Sequence, residues 1–420
     1  SIRGLIFATL AKGESELHNL LYAQDAKDAI NVCKKLGAKI QILKPACHSF
    51  CLKVKGNGIP LLTKAKTLFT GNSGITTTFI LPLLGLRKNC NSKILLDCEK
   101  QMRARSLQPL IDAINGLGME TKNTEFSPRS EDGTVFYPLR VRLALQGGYA
   151  KINDPNSQYL SALLIALPCA PKNSKIEVKN LRERPYVDMT LSWLKDEKIH
   201  YKQSKRKDVE VFHVFGGQSY APFKKFIAAD FSSASYLIAA AALSKGKVVI
   251  DGVDIHDSQG DKKLVPILQK MGAKIKIYPK KLIIEGGEKL RGAVIDCSDI
   301  PDLLPILAVI GACARGKTVI YNIAHARTKE TDRIHSMTEG LRRMGAKIEE
   351  YKDKIIIHKS ALHGNKIHGY NDHRTVMAIA VAGLIADGKT EIDTAESINK
   401  TFPDFVEIMR NIGAKMRFAA

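Results

Sequence analysis

The stretch Met271–Ile277, MGAKIKI, ends an amphipathic segment on a glycine and opens an alternation of apolar and charged residues. It recurs as LGAKIQI from Leu36, LGMETK from Leu117, MGAKIEE from Met344 and IGAKMRF from Ile412. Glycine readily takes the left-handed conformation that ends a helix, and a period of two marks a strand. Each copy therefore reads helix, glycine, strand. The glycines are 37, 118, 272, 345 and 413. The interval from 118 to 272 is 154 residues, about twice the other intervals of 81, 73 and 68. A sixth copy is expected near 195. There Leu191–Tyr201 (LSWLKDEKIHY) has the pattern without the glycine.

A second signature joins an Ala-rich helix to a strand through a glycine turn. It reads ATLAKGESEL from Ala8, AALSKGKVVI from Ala241, GACARGKTVI from Gly311 and GLIADGKTEI from Gly383. Each unit of 70–80 residues thus holds two helices, each followed by a strand. One helix is apolar all round and hence buried; the other is amphipathic and faces water. Units this long do not fit the familiar solenoids. The class is α/β, with six units forming two globular domains of three each. The Gly-, Pro-, Ser- and Lys-rich loop Gly216–Phe226 places the domains at 1–227 and 228–420. Asp230 or a following serine is available to cap the helix that opens the fourth unit.

The 420 residues are 45% hydrophobic and 25% charged, ordinary for a globular protein. The net charge of +22 suits a nucleic-acid binder, a membrane-surface binder, an enzyme for anionic substrates, or a general preference for lysine. The basic residues are spread along the chain. The densest run, Lys202–Lys207, has no interleaved aromatics, which argues against nucleic acid as a partner. The longest apolar runs, Leu303–Ala314 and Val376–Ala386, have twelve and eleven residues, too few to span a bilayer. Gly4–Ala11 lacks a cleavage pattern, and a cytoplasmic protein is expected. Among the eight cysteines, Cys33, Cys169 and Cys313 read as reduced core thiols. Cys47-His48-Ser49-Phe50-Cys51 has no second ligand pair, so no metal is expected.

Five segments exceed what packing needs. Gly71-Asn72-Ser73-Gly74 precedes a helix and is open to two readings, a capped turn or an anion cradle. Asn156-Ser157-Gln158 is either an N-cap or a hydroxyl and phosphate binder. Lys329-Glu330-Thr331-Asp332-Arg333 is expected to open an amphipathic helix ending near Met344, with Lys329 and Arg333 on one face. It is either a salt-bridged helix start or a site. Because cations are unfavourable at that end of a helix, the site reading is favoured. Tyr370-Asn371-Asp372-His373-Arg374 stands at the mouth of another apolar helix. Lys400-Thr401-Phe402-Pro403-Asp404 places a lysine before a proline-broken turn.

The strings GNSG, NSQYLSALLIA, ERPYVDMTL, DFSSASYLIAAAAL, IPDLLPILA, ARTKETDRI, YNDHR and NKTFPDF run in order from Gly71 to Phe405. This set resembles the EPSP synthase family, the 3-phosphoshikimate 1-carboxyvinyltransferases. The resemblance covers nearly the whole chain, and KETDR followed by NDHR is its specific part. It implies the two-domain enolpyruvyl transferase fold, an inside-out α/β barrel. Each domain would hold three βαβαββ units, with the active site in the cleft between them. It also implies transfer of the enolpyruvyl group of phosphoenolpyruvate to the 5-hydroxyl of shikimate 3-phosphate by a monomer, without metal or cofactor. Carried over by motif, Asp302 is the expected base and Glu330 the proton donor or acceptor at C3; Lys400 joins them as catalytic. Arg3, Ser157, Gln158, Tyr186, Asp302, His325 and Lys329 are the expected shikimate 3-phosphate ligands. Gly74, Arg105, Gln158, Arg333, Arg374 and Lys400 are the expected phosphoenolpyruvate ligands.

The chain departs from the family's pattern in places. A Gly-Ser-Lys segment before Ser1-Ile2-Arg3 is absent, so the chain is expected to be truncated there and the first domain to lack a strand. As written, activity is expected to be severely reduced. Thr78 stands where an arginine is usual, His325 where an asparagine is usual and Glu183 where a serine is common. Ile75 and Phe79 replace the usual Thr and Pro, and the bulk of Ile75 is expected to weaken glyphosate binding. The rival enzyme is UDP-N-acetylglucosamine enolpyruvyl transferase. Its reactive loop cysteine has no counterpart here, since Cys98 precedes the Arg103–Arg105 region. A decayed, non-catalytic binding protein is the other alternative.

Overall fold

A computed structural model describes residues 1–46, 49–128, 134–153 and 157–419. Cys47 and His48 of the considered metal clip, and Asn156 of the considered cap, lie outside the described residues. The chain divides into two compact units, Ser1–Ile227 and Ala228–Ala420.

Among the described residues of the first unit, three helices are almost wholly buried: Ile2–Leu10, Gly74–Leu83 and Ser157–Ala166. Phe231–Leu243, Leu304–Cys313 and His373–Ile385 play the same part in the second. Their sequences are apolar on every side, so no face is left for water. The helices Gln24–Lys35 and Arg333–Arg343 are amphipathic and show one buried and one wet face. In each unit the core forms around the buried helices.

Among the described residues, three of the sheets repeat one pattern. Thr67–Phe69 runs parallel to Ile94–Asp97, which pairs antiparallel with Leu139–Arg142, which in turn pairs with Glu120–Asn123. The intervening helices Gly74–Leu83 and Gln108–Gly116 complete a βαβαββ unit. The same order recurs for Tyr149–Ile152, Ser174–Lys179, Val209–Val214 and Tyr201–Arg206. It recurs again for Val294–Asp296, Lys317–Tyr321, Lys354–His358 and Lys347–Glu350. Lys12–Leu20 has Ser49–Asn57 on one side and, parallel on the other, Lys224–Phe226 from the far end of its unit.

The repeat glycines 37, 118, 272, 345 and 413 all have φ between 93° and 108°. In the copy lacking a glycine, Lys198 takes the left-handed position itself, with φ 56°. A non-glycine residue there costs about 1–2 kcal/mol, so the helix-to-strand geometry is enforced by packing on both sides. The last copy departs from expectation: no strand forms over residues 414–419. In the other copies this strand pairs with the next one, as Lys347–Glu350 does with Lys354–His358. A strand without a ladder partner leaves its backbone groups unpaired.

Two strand glycines show how closely sheet meets helix. A Cβ on Gly56 would lie 2.3 Å from the Ala11 carbonyl oxygen and 2.5 Å from that of Ala8. A Cβ on Gly286 would lie 2.0 Å from the Ser244 carbonyl oxygen and 2.1 Å from that of Ala241. Gly56→Ala should therefore cost about 1–3 kcal/mol through overpacking against backbone that cannot yield. Gly217→Ala, where a Cβ meets nothing within 4 Å, should cost only about 1 kcal/mol of left-handed strain. Urea unfolding followed by the fluorescence of Trp193, buried and stacked on Phe7 in the same unit, would show both.

Candidate active site

The second unit gathers its motif residues in the turns and first residues that open its helices. Asp302 lies in the 3₁₀ turn Pro301–Leu303 that leads into Leu304–Cys313. Asp372 caps His373–Ile385 by accepting a hydrogen bond from the Arg374 backbone N–H at 2.8 Å, and Arg374 is that helix's second residue. Lys400 ends the 3₁₀ turn Ala395–Lys400. The helix of the KETDR segment begins at Arg333, later than expected. Asp332 is its cap, accepting from the N–H groups of Ile334 and His335 at 3.1 and 3.0 Å. Lys329 and Glu330 thus sit in the turn before the helix, and the shared helical face of Lys329 and Arg333 does not exist. The cap decides this: an aspartate that accepts from the next N–H groups stands outside the first turn.

Arg333 is the centre of the cluster. Its side chain is 1% exposed at a helix N-terminus, where burial and the helix dipole both oppose a cation. Three carboxyl groups offset this. Nε donates to Asp372 Oδ2 at 2.8 Å, Nη1 to Asp302 Oδ1 at 2.8 Å and Nη2 to Glu330 Oε2 at 2.5 Å. Arg374 Nη2 donates to the other Asp302 oxygen at 2.8 Å, and Lys400 Nζ to the other Glu330 oxygen at 3.1 Å.

The electrostatics follow. Burial alone would raise the Asp302 carboxyl, but Arg374, Arg333 and Lys329 outweigh it and hold the group well below the usual carboxylate range. Burial would likewise discharge Arg333; Asp372, Glu330 and Asp302 reverse the sign and hold its proton more firmly than in water. Burial drives His373 down to about 3, so it is neutral. Asp261, 2% exposed and accepting from the Ser232 hydroxyl, is pushed up to about 7 by burial and by the nearby Asp302. Two carboxyl groups of one neighbourhood are thus driven far apart in acidity, the pattern that separates proton-holding roles.

The first unit has its own cluster. Arg3, 8% exposed, donates from Nε to Thr190 Oγ1 and from Nη2 to the Tyr186 carbonyl, both at 2.9 Å, and lies over the Phe79 ring. Burial lowers its pKa to about 10, which leaves it a cation. Thr78 Oγ1 donates to Gln158 Oε1 at 3.3 Å, and Ser157 Oγ donates to Glu183 Oε2 at 2.6 Å. Ser73 caps the helix that Gly74 opens, and a Cβ on Gly74 would stand 3.2 Å from Arg105 Nη1. His325 is half-buried in the turn Ala324–Thr328, upstream of Lys329.

The family model for EPSP synthase (3-phosphoshikimate 1-carboxyvinyltransferase) matches residues 1–409. The chain belongs to the EPSP synthase family. A 3-phosphoshikimate 1-carboxyvinyltransferase of Acetivibrio thermocellus is 43% identical over 414 residues, covering 99% of this chain and 93% of that protein. One of Methanocaldococcus jannaschii is 37% identical over 418 residues, with the same coverage. The solved EPSP synthase of Acinetobacter baumannii is 23% identical with a TM-score of 0.79, over 100% of this chain and 94% of that one. The enolpyruvyl transferase NikO of Streptomyces tendae is 16% identical with a TM-score of 0.76, over 99% and 93%. These likenesses agree with the α/β class read from the repeats and with the enolpyruvyl transferase fold that the resemblance implied.

Sequence reasoning missed three residues of this EPSP synthase cluster. Asp372 stood inside the YNDHR string and was findable as a cap before an apolar helix. Asp261 and the buried Tyr236, whose hydroxyl burial pushes up and Arg374 pulls back, carried no local signal. Among the described residues no group of three or more His, Cys, Asp or Glu is placed to hold a metal, and no helix is long and apolar enough to cross a membrane.

Asp261 generates a pH prediction. Its folded pKa lies above its unfolded value, so the native state holds the extra proton. The resulting stability is full below the unfolded value near 3.8 and is lost as pH rises through about 7. Relative to Asp261→Asn, the protein should lose up to about 1.4 kcal/mol per pH unit within that window. Paired thermal melts from pH 4 to 8 measure this, and a difference independent of pH would contradict it.

Proposed function

We propose that the chain transfers the enolpyruvyl group of phosphoenolpyruvate to the 5-hydroxyl of shikimate 3-phosphate and releases phosphate, the reaction for which its relatives are named. The observation that carries this reading is the cluster in which Asp302 and Glu330 share Arg333 and are flanked by Arg374 and Lys400. Two carboxyl groups supply proton transfer, and fixed cations supply anion binding and charge stabilisation. Neither role calls for a metal or cofactor.

In the addition step the 5-hydroxyl oxygen bonds to C2 of phosphoenolpyruvate, its proton passes to Asp302, and C3 takes a proton from Glu330. In the elimination step the bond from C2 to the phosphate oxygen breaks, the leaving phosphate takes up the proton that Asp302 holds, and C3 returns a proton to Glu330. Lys400, bonded to Glu330, fixes that carboxyl group while facing the donor. The reading assigns the donor anion to Arg333, Arg374 and Lys400, with Arg105, Gly74 and Gln158. It assigns the acceptor to Arg3, Ser157, Gln158, Tyr186, His325 and Lys329, with Asp302. Donor and acceptor bring two phosphates and a carboxylate to the protein, which gives part of the +22 charge a purpose. A cytoplasmic monomer fits this small-molecule chemistry.

The direct test is phosphate release with both substrates, set against phosphate release with UDP-N-acetylglucosamine as acceptor. Release with shikimate 3-phosphate alone is expected. Glu330→Gln should lower kcat by about 10²–10⁴-fold, the usual worth of general acid–base catalysis, with a much smaller change in donor affinity. An unchanged kcat would remove Glu330 from the chemistry.

A further inference from the structure

Both oxygens of the proposed base are already occupied. Arg333 Nη1 holds Asp302 Oδ1 at 2.8 Å and Arg374 Nη2 holds Oδ2 at 2.8 Å. These are the two arginines that the proposed function assigns to the donor anion. A carboxylate with a charge-assisted bond on each oxygen is a poor proton acceptor. The same arginine N–H groups cannot serve a second anion without releasing the first.

We propose that Asp302 is a built-in competitor for the donor: the incoming anion takes over the Arg333 and Arg374 bonds, and that exchange frees the Asp302 carboxylate to act as base. This rests on the functional reading above and adds to it the regulation of the same site.

The charged groups that act most strongly on Asp302 are consistent with the exchange. Arg374 comes from the helix His373–Ile385 and Arg333 from the helix Arg333–Arg343. Lys329 and Glu330 come from the turn before Arg333, and Asp261 from the 3₁₀ turn Gly260–Lys263. Burial, Glu330 and Asp261 favour a proton on Asp302, and the three cations Arg374, Arg333 and Lys329 oppose it. Moving two of the three onto a donor anion therefore raises the proton affinity of Asp302. Arg333 does not have to move. Its Nε stays on Asp372, whose side chain is fully buried, while the edge facing Asp302 and Glu330 changes partners. The base is thus weak in the resting protein and becomes competent when the donor is seated, which ties proton abstraction to the presence of both substrates.

The test is calorimetric titration with phospholactate, which carries the donor's carboxylate and phosphate but no double bond and so cannot react. Full-length protein saturated with shikimate 3-phosphate is titrated as wild type and as Asp302→Asn. An amide competes weakly for arginine, so the variant should bind phospholactate about tenfold more tightly, roughly the worth of one charge-assisted hydrogen bond. Equal or weaker binding by the variant would overturn the competition. Should Asp302→Asn not fold, carbon-13 NMR of aspartate-labelled wild type gives the same answer. The Asp302 carboxyl should titrate at least about one pH unit higher in the ternary complex than in the free protein, and an unmoved midpoint would overturn the exchange. Failure of both proteins to bind phospholactate, with shikimate 3-phosphate bound, would instead overturn the donor assignment on which the inference rests.

Discussion

The second unit is organised around one buried cation. Arg333 sits where burial and the helix dipole both oppose its charge, and it is held there by Asp372, Asp302 and Glu330. Removing one partner from such an arrangement leaves an uncompensated charge, typically at about 3–5 kcal/mol. Three turns from distant parts of the sequence must therefore meet at one guanidinium. The same constraint that assembles the fold places two carboxyl groups, two arginines and a lysine within reach of each other.

The repeat explains why this can be built. Each buried helix has no wet face, so its only polar opportunity is its end. At the N-terminal ends the backbone N–H groups need partners, and Ser73, Asp230 and Asp372 supply them as caps, as Asp332 does for the amphipathic helix Arg333–Arg343. Residues that the proposed function assigns to the donor stand next to those caps: Gly74 beside Ser73, Arg333 beside Asp332, Arg374 two residues from Asp372. Anion binding and helix capping draw on the same backbone geometry. A fold made from repeated buried helices thus yields repeated anion-facing turns, which substitutions in the turns can specialise.

In the first unit the departures have taken local roles. Thr78, in the place of a usual arginine, donates to Gln158; Glu183, in the place of a common serine, accepts from Ser157. Phe79 forms the surface over which Arg3 lies. Each replacement is integrated into the packing, so the unit binds its own polar side chains where the family pattern would offer more cationic ones.

The sequence by itself determined the repeat and the two kinds of helix, because helix ends, glycine turns and apolar periodicity are local properties. It located Asp302, Glu330, Arg333, Arg374 and Lys400 through motif and resemblance, without any distance between them. Tertiary structure decided the rest. It showed that Lys198 can stand in for a glycine, since packing on both sides outweighs about 1–2 kcal/mol of backbone strain. It showed that IGAKMRF forms no strand, since a strand exists only with a partner. It moved the helix start from Lys329 to Arg333, since Asp332 caps it. It also revealed Asp261 and Asp372 as members of the cluster, because acidity and partner exchange depend on which charges meet in space, and local sequence does not encode that.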